Sequence, residues 1–445
     1  MDRMLKNHIP YDRLKFHPHS FADPDGRLFW FEGELYRAIS HQKTPFFDRL
    51  FEEATIPYLI ERGLLIQSER TGLVLEGYGM VLRHRLVPFT SYPNEWCAAM
   101  FKDAALTYLK LFEELIPRGL TLKDTHPWNL LFEGAKPVYV DITSIKQLTL
   151  NSRGPDFDKF CRYYVYPIML MSREQGRIAR HLLPDYEGIQ ASDFSLLTGG
   201  HGSPLRLTSR LQSALHRRLK SVLGKQTEST RAHFACLGRM RSAIEKIHLP
   251  AIPVEDDDSV TSSNPHLLET ISKLKPESVL AVGARTQWYA ALAARLEIRV
   301  IVFNTDSAYI TQLYRRARDQ QLQLLPLIMD FTDPTPSRGL SNHLSIAASE
   351  RLQCDLVLAL GLVNEAVSGR NLRFEQIVDG LVQFSKRWVI VDYLPSQSPK
   401  IGDGQSEESC RYRSDSFIGA LKKRFHHVSS LPSEAETHTL FLCEK

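Results

Sequence analysis

Val279-Leu280-Ala281-Val282-Gly283-Ala284-Arg285-Thr286-Gln287 is an apolar run of strand length that stops at a glycine. A buried strand that runs into a glycine turn and then a helix opens a βα unit, the place where backbone can approach a nucleotide-like ligand. The same rhythm continues downstream. Strands are predicted at 278–282, 299–303, 324–329, 356–360 and 388–391, with helices at 288–296 and 308–320 between the first three. Repeated β-α units predict a parallel, doubly wound, Rossmann-like sheet over residues 266–445.

On such a sheet a cofactor lies at the carboxyl ends of the first strands. The candidate cofactor-binding residues are therefore Gly283 and Ala284 in the first turn, Asn304 after the second strand, Asp330 after the third and Leu360 after the fourth. Gly283 keeps the position where a side chain would block the ligand. Asn304 can hydrogen-bond a ribose, without the strengthening that a carboxylate's charge would bring, and Asp306 is a possible substitute. Asp330 stands where an acid would meet an adenine amino group, and the turn 361–365 would flank the reacting atom. The alternative is an intact sheet whose cofactor site is altered or lost.

Upstream, residues 249–265 combine Pro250, Pro253, the acidic run Glu255-Asp256-Asp257-Asp258 and a polar stretch without apolar periodicity, which reads as a linker. Residues 1–248 before it follow a different order. Extended runs are predicted at 27–40, 64–67 and 73–86, a helix at 94–116, short strands at 130–132 and 138–140, and a helical pattern after Gly154. Strands first and helices later predict an α+β domain.

That half carries its own constellation, Leu122-Lys123-Asp124-Thr125-His126-Pro127-Trp128-Asn129, followed by Pro137-Val138-Tyr139-Val140-Asp141. Phosphoryl transfer needs a carboxylate near the attacking hydroxyl and oxygen ligands for magnesium over the phosphates. Asp124, Asn129 five residues on and Asp141 after the next strand supply that set at the spacing of a kinase-like catalytic loop. They are the candidate catalytic residues, with magnesium-ATP as cofactor on this reading; capping of turns by the same side chains is the competing reading. No G-x-G-x-x-G loop or V-A-I-K-like strand precedes them. Arg37 sits where a phosphate-pairing lysine would stand, with Glu52 or Glu53 as its candidate partner, and arginine is no simple substitute for lysine there.

Composition narrows the classes further. At 43% hydrophobic and 24% charged residues, the 445-residue chain can bury two ordinary cores. Its six cysteines lie far apart with no C-x-x-C pair, so neither a structural metal nor a disulfide framework is expected. No secretory signal and no apolar run of membrane-spanning length is visible, so a soluble cytoplasmic protein is expected. The net charge of +4 is concentrated between Leu205 and Ile247, where ten Lys/Arg face two Glu. There Leu207, Leu211, Leu215, Leu219 and Val222 recur at helical spacing, which reads as an amphipathic helix with a solvated basic face rather than a nucleic-acid surface.

Taken together, the two halves resemble a bacterial family of class I S-adenosylmethionine-dependent methyltransferases, some of them nodulation proteins. The resemblance rests on Asp23-Pro24-Asp25-Gly26, Leu35-Tyr36-Arg37, Leu122-Lys123-Asp124 to Asn129, Pro137 to Asp141 and Phe160-Cys161-Arg162 with Pro167. In the second half it rests on Leu325 to Asp330, Asp333-Pro334-Thr335-Pro336 and Asp355 to Leu360. It implies a methyltransferase fold, S-adenosylmethionine as cofactor and a small-molecule or carrier-bound intermediate as methyl acceptor. The chain departs from the family's V-L-D-x-G-A-N-T-G at Ala281, Arg285 and Gln287, has Asn304 in place of an acid, and carries Asn364-Glu365 where a His-His pair is usual. Glu365, His343 and Tyr393 are the residues near the expected site that could take a proton, and none is assigned. Three functions therefore stand side by side: methyl transfer, phosphotransfer through Asp124, Asn129 and Asp141, and a two-domain scaffold without chemistry.

Overall fold

The computed structural model describes residues 7–20, 23–148, 156–199, 225–250, 265–283, 294, 297–394, 414–432 and 439–445. The basic helical pattern at 207–222, most of the expected linker, Ala284 and nearly all of the helix expected at 288–296 lie outside them. The chain divides into two compact units. The first is residues 1–132, 137–250 and 339–344; the second is residues 133–136, 251–338 and 345–445.

In the first unit, a five-stranded antiparallel sheet runs in the order β1 (Lys15–Phe16), β2 (Gly26–Phe31), β3 (Glu34–Ile39), β5 (Met80–His84), β4 (Ser68–Arg70). The β2–β3 hairpin closes through Glu32 and Gly33, both at positive φ, which matches the twist of the flanking strands. Phe29, Phe31, Tyr36, Ala38 and Val81 share a core with Ile9 and Leu75. Because side chains alternate across a strand, Arg37 and its cross-strand partner Leu82 lie on the opposite face. The extended run expected at 64–67 holds only a lone bridge at Leu65, and the strand proper is β4. Of the run at 73–86, only β5 is a strand proper, since residues 71–79 hold turns and a lone bridge from Val74 to His8.

A long helix, Ala98–Leu115, follows with Ala104, Ala105, Tyr108, Leu109 and Phe112 buried along one side. Four short strands come next: β6 (Leu120–Leu122) pairs with β9 (Ile145–Gln147), and β7 (Leu130–Glu133) with β8 (Lys136–Tyr139). Helices complete the unit, the last of them Lys225–Glu245, whose Leu237, Met240 and Ile244 are buried.

The second unit is built on a seven-stranded sheet in the order β12 (Leu324–Ile328), β11 (Arg299–Asn304), β10 (Ser278–Val282), β13 (Cys354–Ala359), β14 (Ser385–Tyr393), β16 (Thr439–Glu444), β15 (His427–Leu431). Every residue of β10 and of β12 is buried, as for parallel strands covered on both faces. The first five strands are parallel, as expected. The last two are unforeseen from the sequence: β16 pairs antiparallel to β14, and β15 pairs antiparallel to β16 at the sheet edge. Numbered within the unit the order is 3-2-1-4-5-7-6, with strand 7 reversed: a mixed, Rossmann-like sheet.

Candidate functional site

Chain order in the second sheet reverses between β10 and β13, and that switch point is where a ligand crevice opens in α/β folds. Gly283 closes β10 with φ +99°. A Cβ built there would stand 2.4 Å from the Leu360 carbonyl oxygen and 3.0 Å from the Leu362 nitrogen. Glycine is required here by the neighbouring turn of the chain itself, before any ligand is considered. Leu360 is buried and donates its N–H to the Val282 carbonyl at 3.2 Å, so the two turns are tied together.

Asn304 ends β11 and folds its side chain over its own turn, its Oδ1 accepting from the Asp306 N–H at 2.9 Å. Its Nδ2 has no partner among the described residues. Asp306 caps helix Ser307–Asp319, its Oδ1 accepting from Ala308 and Tyr309 N–H. Asp330, just past β12, accepts from the Thr332 N–H and hydroxyl at 2.8 and 2.7 Å and meets Arg370 Nη2 at 2.5 Å.

Two contacts in this region escaped the sequence reading. Asp392 near the end of β14, 3% exposed, accepts from the Gly361 N–H at 2.8 Å and so fixes the turn after β13. Asn364 holds both main-chain groups of Leu394, donating to its carbonyl at 2.8 Å and accepting from its N–H at 3.2 Å. An acid ending the apolar run Val389-Ile390-Val391 was the available signal for the first. Of the proton acceptors considered, Glu365 is exposed. Burial pushes the Tyr393 phenol up, away from base character at neutral pH. Asp355 works at the other end of the sheet, accepting from Glu277 and Ser278 N–H at 2.9 and 3.1 Å.

S-adenosylmethionine would meet here an amide donor at Asn304 and a carboxylate at Asp330 on adjacent strand ends. The unused Asn304 Nδ2 is the observation that fits the ribose side of that molecule. Ala281, fully buried within β10, offers it nothing polar.

In the first unit, Arg37, 4% exposed, is the centre of a charge network. Its Nη1 lies 3.1 Å from Asp141 Oδ1 and 3.3 Å from Asp23 Oδ2, and it donates to the Thr143 hydroxyl at 2.7 Å. That hydroxyl in turn stands 2.6 Å from Asp141 Oδ1 and 2.7 Å from Asp23 Oδ2, close enough to donate its one proton to either. Asn129 Nδ2 lies 3.5 Å from Asp141 Oδ2 and 3.3 Å from the Tyr139 hydroxyl. Asp25 pairs with Lys123, and with Lys43 at 3.7 Å. Asn129 and Asp141 are thus brought together, and Asp124 lies in the loop between β6 and β7. The partners of Arg37 are Asp23 and Asp141; Glu52 and Glu53 are exposed.

Asp141 Oδ1 is taken up by Arg37 and Thr143, whereas Oδ2 has only the 3.5 Å approach of Asn129, so a magnesium ion would meet this carboxylate at Oδ2. Among the described residues no group of three or more His, Cys, Asp or Glu is gathered in a way that could hold a metal ion. Two histidines, the buried His84 and the half-buried His17, feel the charge of the same guanidinium. Burial, then the Arg37 charge, brings His17 down to about 4 and His84 down to about 3.

No family model matches the chain. Among curated proteins, the nodulation protein NoeA of Rhizobium meliloti is 24% identical over 459 aligned residues, 96% of this chain and 95% of that protein. Three solved structures are similar over smaller shares. TehB from Haemophilus influenzae is 12% identical over 42% of this chain and 63% of its own, with a TM-score of 0.30. The N-methyltransferase NodS from Bradyrhizobium japonicum, in complex with S-adenosyl-L-homocysteine, is 11% identical over 43% of this chain and 93% of its own, at 0.28. WbdD, crystallised with the kinase inhibitor LY294002, is 12% identical over 44% and 46%, at 0.31. Scores of that size add nothing to what the strand order already says about the fold. Among the described residues no helix is long and apolar enough to cross a membrane.

Proposed function

We propose that the chain is a methyltransferase that binds S-adenosylmethionine at the carboxyl ends of β10 to β13 and acts on a small-molecule or carrier-bound intermediate. The observation that carries the reading is the 3-2-1-4-5-7-6 sheet with a left-handed glycine at the end of its first strand. Asn304 would donate its free Nδ2 to a ribose oxygen, Asp330 would accept from the adenine amino group, and the turn at Leu360–Gly361, held by Asp392, would border the reacting atom. The cofactor, when bound, supplies an electrophilic methyl group. The protein's part is then chiefly alignment of the acceptor. The two halves on this reading are a kinase-like domain over 1–248 and a methyltransferase domain over 266–445, joined by the 249–265 linker.

Phosphotransfer through Asp124, Asn129 and Asp141 is the second reading, favoured by the proximity of the last two and weakened by the Arg37–Asp141 ion pair. Calorimetric titration of the full chain separates the readings. Micromolar binding of S-adenosylmethionine and of its demethylated product is the expected result. Silence for both, with a magnesium-dependent ATP signal, moves the chemistry to the first unit, and silence for all three ligands leaves the scaffold.

A further inference from the structure

The ion pairs around Arg37 continue into a second, more open half. Asp25 pairs with Lys123 and, at 3.7 Å, with Lys43. Arg37 belongs to β3, Lys43 immediately precedes helix Thr44–Glu52 and Lys123 follows β6. Three elements far apart along the chain thus bring cations to the one short segment that holds Asp23 and Asp25. With Asp141 included, three cations face three carboxylates, and the set is balanced.

The acidic segment is held in place by its own main chain. Asp23 Oδ1 accepts from the Asp25 N–H at 3.0 Å across Pro24, and the Asp25 carbonyl accepts from the Ser40 N–H at 3.0 Å. Gly26 brings the segment close against the network: a Cβ there would stand 3.0 Å from Thr143 Cγ2 and 3.1 Å from the Ala38 carbonyl oxygen, an approach that glycine permits. Two carboxylates two residues apart are thereby presented as a fixed pair, one to Arg37 and Thr143, the other to the two lysines.

Exposure separates the two ends of that pair. The Arg37 side chain is 5% exposed, whereas those of Lys123 and Lys43 are 28% and 34% exposed, with Asp25 at 15% between them. Ion pairs that keep this much contact with water are weak, because solvent competes for both charges. Charges taken partly out of water also stabilise a fold no better than apolar side chains in their place, so the cluster is poorly explained as a device for stability. Its partners are interchangeable in kind: a guanidinium or ammonium that pairs with a carboxylate pairs with a phosphate through the same charge-assisted bonds. A phosphate group brings more charge and more acceptor oxygens than a carboxylate.

We propose that Arg37, Lys43 and Lys123 form a binding site for an oligophosphate, and that the chain keeps this site closed with Asp23 and Asp25, which stand in for two of the ligand's anionic groups. Because the two carboxylates are joined, a ligand that replaces them carries at least two anionic groups in one molecule; a single small anion would leave one end unpaired. Entry begins at the exposed lysine end, with Asp25 giving way first. Phosphotransfer through Asp124, Asn129 and Asp141 would instead need the site open in the wild-type chain. Every residue of the cluster lies in the first unit, so the proposal does not rest on methyl transfer.

Calorimetric titration of the full chain with inorganic tripolyphosphate, orthophosphate and glutarate at constant ionic strength tests it, in wild type, Asp25→Asn and Asp23→Asn/Asp25→Asn. Tripolyphosphate is expected to bind Asp25→Asn about tenfold more tightly than wild type and the double variant more tightly still, ahead of orthophosphate and glutarate in both. Adding Lys123→Gln to Asp25→Asn should remove the gain. Asp25→Asn keeps the shape of the side chain and leaves the buried Arg37 with Asp23, Asp141 and Thr143, so it should unfold within a few degrees of wild type, and it decides the question even where the double variant does not fold. No binding by Asp25→Asn, equal affinity in Asp25→Asn and wild type, a gain that survives Lys123→Gln, or tighter binding of orthophosphate or glutarate would overturn the proposal.

Discussion

Gly283 has a structural reason to be glycine that the sequence does not reveal. The sequence marks it as a glycine that clears space for a ligand, whereas its missing Cβ first clears the Leu360 carbonyl at 2.4 Å. With φ at +99°, any side chain also meets backbone strain of about 1–3 kcal/mol. Gly283→Ala is therefore expected to lower the stability of the second unit by at least that amount in chemical denaturation, so loss of cofactor binding in this variant would not by itself locate the cofactor. Asn304→Ala is the cleaner probe, since it removes the free Nδ2 and a local turn contact while leaving the sheet intact. On the methyltransferase reading it should weaken S-adenosylmethionine several-fold with an unfolding midpoint within a few degrees of wild type; unchanged affinity would remove Asn304 from the site.

His17 and His84 give a pH dependence with a definite sign. His17 and His84 are held neutral in the folded chain, at about 4 and about 3, while the unfolded chain takes up their protons near the ordinary value of 6.5. Below about pH 6.5 the unfolded state therefore binds more protons, and stability falls as pH drops, by up to about 1.4 kcal/mol per pH unit for each histidine. The loss runs down to about pH 4 for His17 and about pH 3 for His84. Thermal unfolding between pH 7.5 and 5 should show a falling midpoint with a shallower slope in His17→Asn, and a midpoint independent of pH over that interval would contradict the assignment. Neither histidine could be singled out from sequence, because what lowers them is burial and the Arg37 guanidinium brought close by folding.

At the scale of elements, helix Lys225–Glu245 shows which contacts matter. Its Met240 is fully buried, whereas Arg241 forks onto Glu113 of helix Ala98–Leu115 at 2.8 and 2.9 Å with about a third of each side chain exposed. Cavity formation costs about 2–5 kcal/mol and a partly exposed ion pair at most about 1 kcal/mol. Met240→Ala should therefore destabilise the first unit several times more than Arg241→Ala in urea unfolding, and the reverse order would mean that the helix is held mainly by charge. The parallel strands were legible because each is a nearly continuous apolar run. The antiparallel pair β15 and β16 was not, since His427–Leu431 is mostly exposed and lacks the apolar density of a covered strand.

At the scale of the whole molecule, two cores in one chain carry an expectation of their own. Fragments divided in the 249–265 region should each express as folded protein with a single cooperative transition. A C-terminal fragment that is never recovered folded would place the boundary elsewhere.

The sequence alone determined the repeated βα pattern of the C-terminal half, the order of strands before helices in the N-terminal half, and which residues stand at strand ends. These follow from local periodicity and from glycine, which neighbours along the chain define. Only the tertiary structure decided what those residues are engaged in: Asp306 as a helix cap, Asp330 on Arg370, Asp392 on Gly361, and Arg37 on Asp23 and Asp141 rather than on the helix after it. A side chain's partner is set by distance in space, and Arg37 and Asp141 are separated by 104 positions along the chain and by 3.1 Å in the fold.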